Sequence, residues 1–340
     1  MKKRIIKILA FILFLIITIS SINKITDVLC IKSSHGINQA RHFYDQPEDS
    51  IDVVFMGTSH IHCNVNTALL WEDYNIAAYD LTGAEQPLWM TYYYLKEVFK
   101  TQSPKLIVLD LFGAVTITED YHEKWVSENI YGMKFSINKL EMLQQSIAPE
   151  KITLYFPTIW ANHGRYKELT SEDYAVLTES KTEQASFKGY TPYFGTEVWE
   201  KPIAKEVEEE PILQKSEEYL MKIIDYVEKQ DAELLLIVAP YIRNEEHDAS
   251  YKYIERILQE RNVEYINYND LYEEINLDFS SDFNDWSHLN YYGSCKFTDY
   301  LAKDILKKNY NFFHEGQERK YESWEMHVGL INKEVEENLN

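Results

Sequence analysis

Ser59, Asp285 and His288 are the residues whose types and order could do chemistry. A serine hydroxyl alone is a poor nucleophile: it needs a base to take its proton, and the base needs an acceptor on its other ring nitrogen to hold it in place. The stretch "VVFMGTSHIHCN", Val53 to Asn64, ends an apolar run at Gly57 and follows it with Thr58, Ser59, His60, His62, Cys63 and Asn64. Gly57 permits a tight strand-to-loop turn that exposes the Ser59 hydroxyl instead of burying it. Far downstream, "FNDWSHLNYYGS" puts Asp285 and His288 in one loop, directly before a helical pattern that begins at Asn290 or Tyr291. A Gly-Thr-Ser segment by itself is more often an ordinary turn or helix cap. The Asp-x-x-His loop makes a nucleophile the better reading.

The elements that must position these residues are legible as apolar runs. "IDVVFM" from Ile51, "NIAAYDL" from Asn75, "KLIVLDLF" from Lys105, "AELLLIVAP" from Ala232 and "VEYINY" from Val263 read as strands. Helical patterns lie at Pro87 to Lys100, Lys215 to Lys229 and Tyr251 to Arg261. Continuous apolar strands separated by helices are what a parallel sheet covered on both faces requires. The expected fold is α/β, a three-layer α/β/α sandwich with a mainly parallel sheet. In such a sheet, sites form in the loops beyond the carboxyl ends of the strands, where Ser59 lies.

The strand rhythm breaks between about residues 114 and 211, a segment rich in aromatics that reads as an insertion or cap. Trp160, Tyr190, Tyr193, Phe194 and Trp199 within it could stack on sugar rings or form the core of the cap. The acidic "EVEEEP", Glu206 to Pro211, reads as a solvated connector. The expected layout is an anchor over 1–23, a connector over 24–50, the α/β domain over 51–308 and a polar extension over 309–340.

With 340 residues, 45% of them hydrophobic, the chain can bury a substantial core. Its formal charge is −21, and Lys2, Lys3, Arg4 and Lys7 cluster at the start, so the remainder is more acidic still. That argues against nucleic acid as a partner. The basic cluster precedes a nearly continuous apolar run from Ile5 to Ile22, long enough for a short membrane span with its positive flank in the cytoplasm. "SSINKITDVLC" offers no small-x-small cleavage site, and "DVLC" lacks the small residues that precede a lipidated cysteine, so an uncleaved anchor is expected. Cys30, Cys63 and Cys295 are too few and too scattered for a disulfide framework. His60, His62, Cys63 and His288 are credible metal ligands, but no compact zinc-type spacing accompanies them, and neither metal nor cofactor is expected. No Walker pattern or acidic metal cluster supports a phosphate-ester or nucleotide hydrolase.

"GTSH" after the first strand and "DWSHLN" before the last helix together resemble the SGNH/GDSL hydrolase superfamily. More narrowly, the chain resembles its membrane-anchored extracytoplasmic branch, which includes the D-alanyl teichoic-acid transfer protein and alginate or peptidoglycan O-acetylation proteins. The resemblance covers about residues 50–308. It implies Ser59 as nucleophile, His288 as general base and Asp285 as its orienting carboxylate, with the amides of Ser59 and of Gly83, in "DLTGAEQP", as oxyanion donors. Thr58 replaces the acidic residue that commonly precedes the serine, and no Gly-x-Asn-Asp block is present. Asn162 in "WANHGR" is the substitute donor, with His163 and Arg165 beside it, and His60 next to the serine, as substrate contacts. The resemblance implies an esterase or O-acyltransferase acting on a cell-envelope polysaccharide or teichoic polymer outside the membrane, with a membrane-bound O-acyltransferase as partner. The alternative is an inactive relative that binds polymer or organises an acylation complex.

Overall fold

The computed structural model describes residues 2–308, 312, 314 and 318–339. The chain divides into two compact units, 1–32 with 149–180 and 33–148 with 181–340.

The first unit is built on helix α1, Lys2–Leu29. It is the one helix among the described residues long and apolar enough to cross a membrane, and none of its apolar window is buried. A 28-residue helix spans about 42 Å, more than the ~30 Å hydrocarbon core. Its C-terminal carbonyls, which no helical turn can satisfy, are bound by Arg165, whose guanidinium donates to Leu29 O at 2.9 Å and Cys30 O at 2.7 Å. Arg165 also pairs with Asp173 at 3.0 Å. The helix thus continues past the expected boundary at residue 23, and residues 149–180 of the expected insertion belong to its unit.

The second unit carries a five-stranded, all-parallel sheet, β1 Val53–Gly57, β2 Ala78–Thr82, β3 Leu106–Asp110, β4 Glu233–Val238 and β5 Tyr265–Asn267. The order is β2-β1-β3-β4-β5. β1, β2 and β3 are buried along their whole length, which explains runs of apolar residues without alternation. Val53, Phe55, Leu106, Val108, Leu235 and Ile237 face one apolar cluster. After α2 (Ile37–Phe43) in the chain, that cluster is completed by Ile61 of α3 (Ser59–Asn64), Leu70 of α4 (Thr67–Tyr74), and Phe297, Leu301 and Ile305 of the helix Tyr291–Lys307. The alternate residues Val54, Met56, Ile107, Leu109 and Leu236 are buried as well.

The connector expected over 24–50 is partly structural: in the helix Ile37–Phe43, Ile37, Ala40 and Phe43 are buried, and Phe43 meets Tyr79 of β2 edge to face at 5.5 Å. Residues 206–211 form no regular structure and are mostly exposed. At the C-terminal end the helix Glu318–Leu339 packs on α4, where Trp71 stacks on Tyr321 and donates to Glu325 at 2.8 Å.

Strand order explains where a site can form. β1 runs first, β2 is added on one side of it and β3 on the other, so the loops after β1 and β3 diverge and leave a crevice at the carboxyl ends. Ser59 is the second residue after β1.

Candidate active site

Gly57 makes the turn out of β1. Its φ is +140°, and a Cβ there would sit 3.0 Å from Asp110 Cβ at the end of β3. Only glycine allows both that dihedral and that approach. Thr58 follows in extended conformation and caps α3, its hydroxyl accepting from His60 N at 3.3 Å. Ser59, half-buried between buried neighbours, is the first helical residue, so its amide has no partner inside the helix.

The second half of the site is a tight loop. Phe283 and Leu289 form an antiparallel bridge, and Asn284 N donates to His288 O at 2.9 Å. Inside the loop Asp285 Oδ1 accepts from Ser287 N at 2.8 Å and His288 N at 3.0 Å. The Asp-x-x-His spacing is therefore a side-chain-to-backbone turn that folds the carboxylate against the imidazole. Asn290 closes the loop by capping the helix Tyr291–Lys307, accepting from Tyr292 N at 3.1 Å and Gly293 N at 3.2 Å.

The two halves meet. His288 Nε2 lies 2.8 Å from Ser59 Oγ, and His288 Nδ1 lies 3.0 Å from both oxygens of Asp285. With its Nδ1 hydrogen donated to the carboxylate, the ring presents the Nε2 lone pair to the serine hydroxyl. Burial pushes the Asp285 carboxyl up, but the hydrogen bond and charge of His288, with the donors Ser287 N and Asn284 Nδ2, hold it well below the usual carboxylate range. Asn64, at the end of α3, locks the halves together: Oδ1 accepts from Leu289 N at 2.9 Å and Nδ2 donates to Pro240 O at 3.2 Å after β4.

Aromatic and imidazole rings surround the pair. His60 stacks on Phe112 with ring centres 3.4 Å apart and meets His288 edge-on at 5.7 Å. Both His60 ring nitrogens are buried with no hydrogen-bond partner among the described residues. Burial, then repulsion from His288, drives its pKa well down and keeps the ring neutral. His62 points elsewhere, to Thr82 Oγ1 at 2.9 Å and His35 Nδ1 at 3.3 Å. The helical turn separates the two histidines, and no group of three or more His, Cys, Asp or Glu converges on a metal position among the described residues. Tyr193 meets His288 edge-on at 5.4 Å and hydrogen-bonds the buried thiol of Cys63. All three cysteines are free.

Gly83 follows β2 beside the end of β1, and its amide donates to Gly57 O over a long 3.4 Å. A Cβ at Gly83 would meet Asn129 Oδ1 at 1.8 Å, so the side chain of Asn129 fills that space. Asn129, which no motif marks, also donates to Ala84 O at 2.9 Å. Asn162, His163 and Arg165 lie in the other compact unit. There Asn162 donates to Thr158 O at 3.0 Å, His163 to Trp160 O at 2.5 Å, and Arg165 makes the helix-end contacts described above. Among the aromatics of the expected cap, Tyr190 is buried, Trp199 packs against the sheet's core cluster and Trp160 is 70% exposed. Phe194 stacks on Tyr291.

His35, Asn64, Phe112 and Asn129 were not singled out by residue type or spacing. Only the quoted Val53–Asn64 stretch, which contains Asn64, offered a signal. No protein-family model matches the chain, and no curated protein matches it significantly.

Proposed function

We propose that this chain is a membrane-anchored, extracytoplasmic serine O-acyl esterase or O-acyltransferase with an SGNH-like three-layer sandwich, acting on a cell-envelope glycan or teichoic polymer. The observation that carries the reading is the continuous relay from Ser59 Oγ through His288 to Asp285, assembled from residues 229 positions apart. Structural serine–histidine contacts need no ionised, loop-fixed acceptor behind the imidazole, and this one has it.

In the proposed reaction Ser59 Oγ attacks an ester carbonyl while His288 Nε2 takes the hydroxyl proton. Asp285 stays ionised and steadies the imidazolium. Collapse of the tetrahedral adduct breaks the ester bond, and His288 returns the proton to the departing alkoxide, leaving the acyl group on Ser59. A water or sugar hydroxyl then attacks, gives its proton to His288, and carries the acyl group away as Ser59 is restored. Water makes the chain an esterase; a sugar hydroxyl makes it a transferase. The Ser59 amide is the first oxyanion donor, and the Gly83 amide, held only by a 3.4 Å bond, is the second. A membrane-bound O-acyltransferase would supply the acyl group, and the basic start of α1 would keep the N-terminus cytoplasmic.

The engagement of Gly83 N with Gly57 O is what favours the second reading, a polymer-binding relative without turnover. The full chain in neutral detergent, given p-nitrophenyl acetate, separates the two. Phenol release that disappears in Ser59→Ala supports the enzyme, and addition of a glycan acceptor then distinguishes transfer from hydrolysis. Equal release by wild type and Ser59→Ala removes the reading.

A further inference from the structure

A second pocket, of about 490 Å³ and lined by none of the catalytic residues, opens between Tyr44–Pro47, the helix Lys181–Ala185 and the start of the C-terminal helix. Its walls carry Lys134, Lys181, Arg319 and Lys320. Lys134, Lys181 and Arg319 are exposed, and none of the four has an ion-pair partner among the described residues. Asp45, the one acidic residue of the lining, is already hydrogen-bonded to His42 at 3.2 Å.

This gathering of cations is out of character for a chain with a formal charge of −21, in which the other surface lysines and arginines commonly pair with carboxylates. The floor of the pocket is tied together by buried hydrogen bonds. Gln46, Ala185 and Ser323, all lining residues, accept from the fully buried Lys188 Nζ at 2.6, 2.6 and 2.7 Å; that nitrogen sits 3.3 Å over the Trp324 ring, and burial drives its pKa well down, so the pocket's charge comes from the four wall residues. Unpaired like charges held around one concavity repel one another, and a multivalent anion relieves that repulsion. An arginine fork beside several lysines suits phosphoryl oxygens, which carry more charge than a carboxylate and offer more acceptors. The volume exceeds what a bare oxyanion fills.

The geometry points to a phosphoryl-binding site in this pocket, for a phosphate group borne on a small organic substituent. It stands apart from the acyl-transfer reading, because Ser59, Asp285 and His288 take no part in it.

Isothermal titration of the full chain in neutral-detergent micelles tests the site at fixed ionic strength, with inorganic phosphate, glycerophosphoglycerol and acetate as titrants. Phosphoryl binding is expected where acetate gives none. It should weaken about tenfold or more in Lys181→Ala/Arg319→Ala and fall as salt rises. Binding of glycerophosphoglycerol assigns the site to a phosphodiester carried by a headgroup or polymer; binding of inorganic phosphate alone assigns it to a free anion. Either outcome supports a phosphoryl site. Heats equal to those of acetate, or an affinity unchanged in the double variant, overturn it. Fluorophosphonate labelling of Ser59, expected unchanged in the same variant, keeps a failed pocket distinct from a failed fold or a failed serine.

Discussion

Asp285 bears more of the site's geometry than its distance from Ser59 suggests. Its carboxylate accepts from Ser287 N and His288 N and from the ring of His288, so one side chain shapes the loop and orients the base. Asp285→Asn replaces one acceptor oxygen with a donor and favours the wrong imidazole tautomer. Serine labelling by a fluorophosphonate should fall roughly 10²- to 10⁴-fold with the fold intact by circular dichroism. A rate within a factor of about three of wild type would mean that His288 does not need this carboxylate. The types and spacing of Ser59, Asp285 and His288 were readable in the chain because each has a distinctive chemistry. Asn129 and His35 were not, since a buried asparagine bound to carbonyls and a histidine bound to a histidine look like any others until the fold brings them together.

Among the elements, the strands were the most legible, because a parallel sheet buried on both faces leaves uninterrupted apolar runs such as "LIVL" of β3. The helix Ile37–Phe43 was not legible: it is only seven residues long, too short for a period to show, although Ile37, Gln39, Ala40 and Phe43 are all buried. The short helices between residues 114 and 211 have too few turns for a period to show. The join between α3 and the His288 loop rests on Asn64, and its removal tests how the elements are coupled. Asn64→Ala strands the buried Leu289 amide, for an expected cost of about 1–3 kcal/mol in chemical denaturation. It should also slow labelling of Ser59 while leaving the probe's access unchanged. Stability and labelling both equal to wild type would show that the loop is held by other contacts.

Over the whole molecule, burial and charge set two further expectations. Asp110, fully buried where β3 ends, has its pKa raised to about 7 by desolvation, against the lowering effect of hydrogen bonds from Ala239 N and Phe112 N. A raised carboxyl pKa means that the folded chain keeps a proton the unfolded chain releases. The resulting stability is complete below the ordinary value of 3.8 and is lost as pH rises through about 7. Relative to Asp110→Asn, the wild type should therefore lose as much as about 4 kcal/mol between roughly pH 4 and pH 8, measured by urea denaturation. A difference that stays constant over that window would contradict a buried, protonated Asp110. The membrane-length apolar window of α1, none of it buried, leads to the other expectation. Full chain expressed in cells should stay in the membrane fraction through carbonate washing, whereas release by the wash would show that α1 does not insert.

The central claim, that Ser59 is a nucleophile activated by His288 and Asp285, is tested most directly by fluorophosphonate labelling with peptide mapping. The full chain in neutral detergent is compared with Ser59→Ala and His288→Ala. A single adduct on the peptide containing Ser59, absent from both variants, is the expected result. A well-folded wild type that stays unlabelled, or an adduct that persists in His288→Ala at the wild-type rate, would contradict it.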